Sequence, residues 1–529
     1  MNVHDWNVGW IATKRAVITP EKPALIYEDR PITYKELNDR VNRVSHYLQA
    51  RGIRKGDRIS VLLRDCPELL EVFFAAAKLG FIFVPLNFRL VGPELEYQLN
   101  NSGSRLLVFQ DSFARNIDQI QATIKVEKDK FIFVRSDHPD SPGCPEWAMD
   151  YHETVDRCAS DEPRVDTSVS RDDPLAILYT SGATGTPKGA VVSHLQTYFK
   201  CFQVILYFDM REEDVLLSHL PLCHSAGLFI NAIPILCRGA TLLIRQKFEA
   251  EQFAGDIKNY NATIVNAFNT VWKLILQSKN MAQVDMSRVR VTIGGGERTP
   301  RSLFDELMAK GIYMQLAMGQ TENSFMLVLP KEDVKRKMGS IGLPGFFTDV
   351  WVADEHGREL PPYEIGEMIA KGPTVMSGYW NLPEETAKAI TGEVLHTGDL
   401  GYRDEEGYFY MVDRAKDVYR TGGENVYPAE IEKVLANHPK VFNVAIIGVP
   451  DAKWTETGMA FIIPKQGETL TKEEILEFLQ GKVAKYKFPT YVKFVDELPM
   501  TASGRIKKAE LRKEWGIFKD REKDFMGMP

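Results

Sequence analysis

The sequence predicts an α/β protein in which a large N-terminal domain of parallel and mixed sheets, flanked by helices, precedes a small mobile α+β domain. Segments with helical and strand periodicity alternate through most of the chain, which is typical of parallel sheets joined by helices. The length of 529 residues exceeds what one hydrophobic core usually serves. The chain turns polar near residue 414. We therefore expect two domains, 1–413 and 417–529, with a hinge at 414–416.

Local signals place the first elements of the large domain. Thr33 and Glu36 have the spacing of a capping box and predict a helix over 34–51, whose apolar side chains recur on one face. A strand, an apolar helix and a strand are then expected over 58–63, 67–79 and 81–85. Later strands are expected over 106–110, 241–244, 263–267, 290–293 and 313–317.

The C-terminal region has a pattern of its own, roughly one hundred residues long, which is enough to fold alone. Proline at 428 suits the first turn of a helix, and two apolar strand-like runs follow it. The predicted order is helix, strand, strand, helix, strand over 428–436, 441–448, 459–464, 472–483 and 491–495.

Composition and charge argue against several classes of protein. The 65 Lys and Arg against 72 Asp and Glu give a net charge of −7, which argues against a nucleic-acid partner. Six cysteines without a CxxC pair predict neither a disulfide framework nor a zinc site and fit a cytoplasmic location. The charged first twenty residues predict no signal peptide, and the apolar stretches are too short or too interrupted for a transmembrane segment. Association with a membrane through a surface patch stays open.

Residues 179–189, YTSGATGTPKG, join two apolar runs through a loop rich in hydroxyl groups and glycine. Glycine lets the backbone approach a ligand, and free N–H groups and hydroxyls form a concave surface for phosphate oxygens. The spacing does not match a Walker loop, and the apolar residues after it predict a returning strand instead of a helix. A solvent-exposed hairpin is the alternative. The predicted ligand contacts are Thr180, Ser181, Gly182, Thr184, Gly185, Thr186 and Lys188.

Six further stretches stand out in a fixed order along the chain. They are PLCHSAG at 221–227, GGGE at 294–297, MGQTE at 318–322, LHTGD at 395–399, YRTGGENVYP at 419–428 and LPMTASGRI at 498–506. Together with the 179–189 loop they resemble the adenylate-forming superfamily, which contains acyl-CoA synthetases, adenylation domains of peptide synthetases and beetle luciferases. The likeness runs from about residue 33 to residue 512, and YWNLPEETA at 379–387 is most similar to fatty- and aryl-acyl-CoA synthetases.

The resemblance implies a ligase that works in two steps. A carboxylic acid attacks the α-phosphate of ATP, with Mg²⁺ screening the phosphates, and gives an acyl adenylate and pyrophosphate. The C-terminal domain then rotates, and the thiol of CoA displaces AMP. The implied partners are thus a small-molecule carboxylic acid, ATP and CoA.

The resemblance also assigns nucleotide contacts, residue by residue. Thr184 and Glu322 match the Mg²⁺ site, and Asp399 matches the carboxylate that accepts both ribose hydroxyls. Arg414 matches a second ribose or phosphate contact, and Lys416 matches the hinge residue. The alternatives are a surface acid, a turn-forming aspartate and solvated linker charges. Further positions expected against nucleotide or CoA are Gly295, Gly296, Glu297, Met318, Gly319, Gln320, Thr321, Gly422, Gly423 and Glu424.

The predicted catalytic residues are Thr184, Lys188, His224, Glu322 and Arg505. His224 matches a position that orients the carboxylate, although a histidine among apolar residues is more often a core residue. Arg505 departs from the family, which has lysine there to bridge the carboxylate and the α-phosphate. Arginine keeps the charge but is planar and bidentate. Met318 also departs, since an aromatic residue usually stacks on adenine at that position.

Three activities remain open at this point. The first is an active acyl-CoA synthetase, and the second is adenylation for transfer to a carrier-protein thiol. The third is a weakly active or non-catalytic relative that binds ATP and an acyl ligand, because Arg505 replaces lysine. Phe229, Phe268, Val271 and Met318 favour an apolar acid, fatty or aromatic, and no cation nearby in sequence suggests a second carboxylate. A homodimer is one expectation for the assembly state.

Overall fold

The computed structural model describes residues 6–136, 141–165, 167–180, 187–295, 299, 301–421, 424–451, 454–501 and 505–515. The helices in these ranges are α1 Trp10–Ile18, α2 Tyr34–Ala50, α3 Pro67–Leu79, α4 Gly92–Ser102, α5 Ala114–Ile120, α6 Tyr151–Val155, α7 His194–Tyr207, α8 Ile233–Arg238, α9 Ala250–Asn259, α10 Asn269–Gln277, α11 Arg301–Ala309, α12 Pro383–Ala389, α13 Pro428–Leu435, α14 Lys472–Leu479 and α15 Lys508–Trp515.

The strands in the same ranges are β1 Pro23–Tyr27, β2 Arg30–Thr33, β3 Arg58–Leu62, β4 Ile82–Pro85, β5 Leu106–Gln110, β6 Phe131–Val134, β7 Met149–Asp150, β8 Pro174–Thr180, β9 Lys188–Ser193, β10 Val215–Ser218, β11 Thr241–Ile244, β12 Ile264–Asn266, β13 Val291–Gly295, β14 Met314–Met318, β15 Leu327–Val328, β16 Leu343–Pro344, β17 Asp349–Ala353, β18 Gly366–Lys371, β19 Gly378–Tyr379, β20 Ile390–Thr391, β21 Val394–Arg403, β22 Phe409–Arg414, β23 Tyr419–Thr421, β24 Glu424–Val426, β25 Val441–Asp451, β26 Thr455–Pro464 and β27 Tyr491–Phe494.

The first sheet has eight strands in the order β19-β9-β8-β4-β3-β5-β6-β7. From β8 to β7 the neighbours are parallel, whereas β9 returns antiparallel to β8. Strand β5 is buried at every position, as expected for a parallel strand covered on both faces. The β8–β9 hairpin brings Thr180 opposite Lys188, so the two ends of the predicted phosphate loop lie side by side.

The second sheet has nine strands in the order β16-β15-β14-β13-β12-β10-β11-β1-β2. Its central strands from β14 to β1 are parallel, so the carboxyl ends of β13 and β14 lie at the same edge. At that edge Gly295 has a φ of +151°, and a Cβ there would lie 2.1 Å from the carbonyl oxygen of Ala317. The close approach of β13 and β14 therefore requires glycine at this position.

Two further sheets follow along the chain. The order β17-β18-β21-β20, with β22 paired to β21, forms an antiparallel sheet in which Asp399 lies opposite Arg414. The last sheet, β24-β23-β26-β25 with β27 beside β26, is the core of the C-terminal region. Helices α13 and α14 pack in one apolar cluster of this region and α15 packs in another. The region thus has apolar cores of its own.

The structure confirms the predicted α/β fold class and most of the predicted elements. Both hydrogen bonds of the capping box are present, from Glu36 N to Thr33 Oγ1 at 3.1 Å and from Thr33 N to Glu36 Oε2 at 2.8 Å. The helix expected over 472–483 is shorter, because Gln480 is extended and Gly481 has a φ of +70°. None of the described helices combines the length and apolar character needed to cross a bilayer.

Candidate active site

Glu322 lies in the turn after β14, where the two large sheets approach each other. Its Oε1 atom accepts a hydrogen bond from the hydroxyl of Tyr379 at 2.9 Å. The hydroxyl of Thr180, at the end of β8, lies 3.4 Å from the same oxygen. Glu322 is thus held twice from the first sheet, by Thr180 on β8 and by Tyr379 on β19. The site combines residues that are 142 positions apart in the chain.

Lys188 begins β9 and does not contact Glu322 directly. Its ammonium pairs with Glu385 on α12 and lies 5.2 Å from the ring centroid of Tyr379. Lys188 and Lys388 together lower the pKa of Glu385 to about 2. Lys188 is therefore linked to Glu322 through Tyr379, and its charge is balanced by Glu385 in this state.

Asp399 on β21 is the most enclosed acid of the predicted set, at 1% exposure. Gln320 donates from Nε2 to Asp399 Oδ2 at 2.6 Å and to the carbonyl of Thr397 at 2.7 Å. Arg414 Nε forms an ion pair with Asp399 Oδ1 at 2.9 Å, but this oxygen accepts no hydrogen bond from the described residues. Asp399 therefore keeps acceptor capacity that a ligand with O–H donors can use.

The turn between β14 and Glu322 is built by a close backbone approach. A Cβ at Gly319 would lie 1.5 Å from the carbonyl oxygen of Ser324, so only glycine fits. Met318 is the last residue of β14 and packs at the edge of an apolar cluster that includes Met326 and Leu327. Thr321 lies in the same turn and is partly exposed. The predicted MGQTE segment thus lines one side of the site through backbone as well as side chains.

His224 lies just before a π-helical segment, Ala226–Ala232. The backbone N–H of Ala226 donates to its Nδ1 at 3.2 Å, so the neutral ring carries its proton on Nε2. Burial, followed by the positive charge of Arg505, lowers the pKa of His224 to about 4. At neutral pH the side chain is therefore an uncharged donor.

Arg505 reaches this site from the C-terminal region. It lies close enough to His224 for its charge to lower the pKa of that ring. Its backbone is fixed by two hydrogen bonds with Thr501, at 2.6 Å and 3.0 Å. The two lysines that follow are engaged elsewhere, since Lys507 pairs with Glu510 and Lys508 pairs with Glu432, each at 2.8 Å. Among these three cations, Arg505 is the one beside His224.

Lys416 lies in an exposed turn between β22 and β23. Arg512 of α15 donates to the carbonyl of Lys416 at 3.2 Å and to the carboxylate of Asp417 at 2.8 Å. An exposed turn between two sheets suits the hinge expected at 414–416, which stays a prediction.

Several predicted residues lie outside the described part of the chain. They are Ser181, Gly182, Thr184, Gly185, Thr186, Gly296, Glu297, Gly422 and Gly423. The side chain of Glu424 is likewise not described. Their assigned roles stay predictions.

The sequence analysis missed two residues that contact the predicted set, Tyr379 and Glu385. Both lie in the YWNLPEETA stretch, which served above only to indicate the subfamily. The available signal was an aromatic hydroxyl just before a short helix and an acid in the first turn of that helix. Their partners, Glu322 and Lys188, are remote in sequence, so only the fold reveals the pairing.

Residues 12–380 match the family described as AMP-binding enzyme, and residues 430–505 match the AMP-binding enzyme C-terminal domain. The chain belongs to the AMP-binding enzyme family. The superfamily expected from the motifs is confirmed by this match. The boundary between the two matched segments includes 414–416 but does not fix the hinge.

Curated relatives in this family span almost the whole chain. A feruloyl-CoA synthase of Amycolatopsis sp is 36% identical over 504 residues, covering 95% of this chain and 98% of that protein. The long-chain-fatty-acid–CoA ligase FadD13 of Mycobacterium tuberculosis is 35% identical over 515 residues, covering 96% and 98%. Among solved structures, ATP-bound MatB from Rhodopseudomonas palustris has a TM-score of 0.86 at 30% identity, covering 97% of this chain and 99% of that one.

Proposed function

We propose that this chain is an AMP-forming acyl-CoA synthetase. A carboxylate oxygen attacks the α-phosphate of ATP, the bond to the β-phosphate breaks, and pyrophosphate leaves. The thiolate sulfur of CoA then attacks the acyl carbon, the bond to AMP breaks, and an acyl-CoA and AMP are released. The observation that carries the proposal is the position of Arg505, which comes from the C-terminal region to lie within range for its charge to act on His224 of the large domain.

The nucleotide is assigned to the ends of β8, β14 and β21. Asp399 has acceptor capacity on a nearly unexposed carboxylate, which suits the two ribose hydroxyls, and Arg414 and Gln320 fix its orientation. Thr180, Thr321 and Lys188 are assigned to the phosphates, together with the loop residues Ser181, Gly182, Thr184, Gly185 and Thr186. Gly295, Gly296, Glu297, Met318 and Gly319 are assigned to the walls around adenine and the acyl group.

The arrangement around Glu322 fits a Mg²⁺ ion that arrives with ATP. The described residues contain no cluster of three or more acids, histidines or cysteines that would hold a metal alone. Mg²⁺ commonly binds through one or two carboxylates plus phosphates and water. Both described hydroxyl contacts of Glu322 are to Oε1. We assign Glu322 and Thr184 as its protein ligands, and the bound ion screens charge on the phosphates.

Arg505 and His224 are assigned to the attacking carboxylate. The guanidinium neutralises charge on the carboxylate and the α-phosphate as they approach, while the Nε2–H of the neutral imidazole orients the acid. Because Lys507 and Lys508 are paired elsewhere, we assign to Arg505 the part that lysine has in the family.

The second step is assigned to a rotation of the C-terminal domain about 414–416, with Lys416 at the pivot. Gly422, Gly423 and Glu424 are then expected against the pantetheine arm of CoA. Rotation withdraws Arg505 from His224, so that the same site is used first for adenylation and then for thioester formation.

An apolar acid, fatty or aromatic, is the expected substrate. Phe229 of the π-helical segment is fully buried beside Phe73, with ring centroids 6.4 Å apart. The names of the relatives cover both substrate types, a feruloyl-CoA synthase and a long-chain-fatty-acid–CoA ligase. A cytoplasmic location, the lack of a nucleic-acid partner and a homodimer stay predictions.

A carrier-protein thiol is the alternative acceptor. One relative, the fatty acid–[acyl-carrier-protein] ligase ScoC of Streptomyces coeruleorubidus, is 32% identical over 515 residues. The CoA ligases above are more similar to this chain, so CoA is the acceptor we favour.

The test is pyrophosphate release with MgATP and a panel of acids, from acetate to palmitate with benzoates and cinnamates. Each acid is assayed alone, with CoA, and with a phosphopantetheinylated carrier protein. We expect acid-dependent release and an acyl-CoA product. Product only with the carrier supports the alternative, and no release from any acid contradicts the proposal.

A variant separates chemistry from folding in the same assay. Glu322→Ala is expected to abolish acid-dependent pyrophosphate release because the Mg²⁺ carboxylate is lost, while the far-UV circular dichroism spectrum stays unchanged. Near-normal release from this variant would remove Glu322 from the metal site.

A further inference from the structure

A buried cation on α7 plays no part in the reaction described above. Lys200 has 0% exposure, and its Nζ has no hydrogen-bond partner in the described part of the chain. The ammonium lies 5.6 Å from the ring centroid of Phe229. Burial lowers the pKa of Lys200 to about 7, and the negative charge of Glu322 opposes this effect. Lys200 therefore packs against the π-helical segment that follows His224, within range of the charge of Glu322.

A second buried polar group lies in the segment that follows Glu322. Ser324, two residues after Glu322, is 2% exposed, and its Oγ also lacks a hydrogen-bond partner in the described residues. It has a φ of +60°, which is uncommon for a residue other than glycine. Gln203, one turn after Lys200 on α7, donates to the carbonyl of Phe325. This bond packs the helix that carries Lys200 against the segment that carries Ser324.

Both groups are costly to leave without a partner. A buried ammonium or hydroxyl that makes no hydrogen bond loses its hydration without compensation. The other buried lysine of comparable enclosure, Lys78, shows the usual solution. Its Nζ donates to Asn38, Asn42 and Glu162 at 2.8, 2.6 and 2.7 Å. Lys200 has no such partners among the described residues, so we look to a ligand for one.

The predicted acyl-binding residues identify which ligand reaches this region. Phe229 and Met318 are among the residues expected to favour an apolar acid, and Ser324 lies in the turn that follows Met318. A fully apolar acyl group would leave the ammonium unpaired. An acyl group with an oxygen substituent would supply an acceptor for Lys200 and a partner for Ser324.

We propose that Lys200, assisted by Ser324, is a specificity-determining residue that selects acids whose apolar body carries a second oxygen function, a hydroxyl or a carboxylate. The inference rests on the proposed function, because it concerns the acid that the enzyme activates. No cation near the predicted pocket residues in sequence suggests a second carboxylate, and Lys200 is remote from those residues in sequence.

The test compares matched acids that differ by one oxygen function. The pairs are cinnamate with 4-hydroxycinnamate, hexanoate with 6-hydroxyhexanoate, and hexanoate with adipate. The kcat/KM of pyrophosphate release is measured for the wild-type protein and for Lys200→Met, which keeps the length of the side chain. Wild type is expected to prefer the substituted acid of one pair by about 10- to 100-fold, the range for a hydrogen bond to a charged group. The preferred pair tells a phenolic, an alcoholic and a carboxylate substituent apart.

Lys200→Met is expected to reduce this preference to less than about threefold, mainly because the kcat/KM for the substituted acid falls. Activity on the unsubstituted acid should be kept. The proposal is overturned if the kcat/KM values for both acids of a pair fall by the same factor, or if their ratio is unchanged. It is also overturned if the wild-type protein prefers none of the substituted acids.

Thermal stability separates a role in substrate selection from a structural role. Loss of a structural lysine would lower the Tm, whereas loss of an unpaired buried lysine would keep or raise it. Replacing an unpaired buried cation by methionine should keep or raise the Tm of Lys200→Met. The matched control Lys78→Met breaks three hydrogen bonds, so it should lower Tm and leave the ratio of acids unchanged. A large fall in Tm for Lys200→Met would show that Lys200 has a structural partner and overturn the proposal.

Failure of the proposed function is distinguishable from failure of this inference. If none of the acids gives pyrophosphate release with the wild-type protein, the inference about Lys200 is tested by binding instead. Calorimetry then measures the binding of the same acid pairs to the wild-type and Lys200→Met proteins. Tighter binding of a substituted acid that depends on Lys200 supports the inference, and equal binding in both proteins overturns it.

Discussion

The hydroxyl of Tyr379 is a contact of Glu322 that one conservative substitution removes. It donates to Oε1 at 2.9 Å, whereas Thr180 lies 3.4 Å from the same oxygen. Burial and the charge of Glu322 raise the pKa of Tyr379, so the hydroxyl stays protonated at any pH used for assay. Tyr379→Phe deletes this donor and keeps the ring that packs beside Lys188.

The expected size follows from the geometry. A hydrogen bond to a charged group contributes about 1.5–3 kcal/mol. Tyr379 is half-buried, so water partly replaces the lost donor, and we take the lower part of that range. A loss of about 1.5–2 kcal/mol corresponds to a 10- to 30-fold lower kcat/KM for ATP. The KM for Mg²⁺ should rise with it, because the carboxylate is no longer held in one orientation.

The assay is pyrophosphate release at varied ATP and Mg²⁺, with Tyr408→Phe as the matched control. Tyr408 also donates its hydroxyl to a carboxylate, that of Asp333, but on another part of the surface. The control should lose stability and keep its kcat/KM. Equal kinetic losses in the two variants, or a loss below about threefold in Tyr379→Phe, would show that Tyr379 does not position Glu322.

Two further predictions concern Arg505 and His194. Arg505→Lys is expected to keep or raise the rate of pyrophosphate release, because lysine is the usual residue of the family; a fall of more than about tenfold would mean that the site has adapted to a guanidinium. His194 accepts a hydrogen bond from Val8 N at 3.0 Å, and burial lowers its pKa to about 3. Its unfolded form binds a proton below a pH of about 6.5, so the free energy of unfolding should fall from there towards pH 3 by at most about 1.4 kcal/mol per pH unit. His194→Asn, which keeps an acceptor, should flatten that part of the curve of stability against pH, and an unchanged slope in thermal or denaturant unfolding would contradict the assignment.

Local signals predicted the fold well where a single short segment carries the information. The capping box at Thr33 and Glu36 is a contact over three residues, and both of its hydrogen bonds are present. The alternation of apolar helices and strands likewise predicted the parallel sheets. The π-helical segment Ala226–Ala232 was not foreseen, because its hydrogen-bonding pattern differs from that of an α-helix without a distinct pattern of residue types.

Single site residues could be proposed from the sequence where a short motif contains them. Asp399 and Glu322 could be chosen from LHTGD and MGQTE, since each stands at a fixed place in its stretch. Their partners could not be chosen, because Tyr379 reaches Glu322 across 57 positions and Lys188 reaches Glu385 across 197. Lys200 was also missed, because it lies on a helix whose sequence shows only amphipathic spacing.

The ion pair between Lys188 and Glu385 has a consequence for nucleotide binding. An acid fixed on α12 acts as a tethered competitor, whose local concentration does not fall when the solution is diluted. With Lys188 as a phosphate ligand, as we propose, the triphosphate would displace this carboxylate, so that binding would exchange one anion for another. A single phosphate competes poorly against an anion already in place, whereas a chain of phosphates that also contacts the rest of the site competes well. On the proposed assignment of Lys188, Glu385 would therefore favour ATP over free inorganic phosphate at this site.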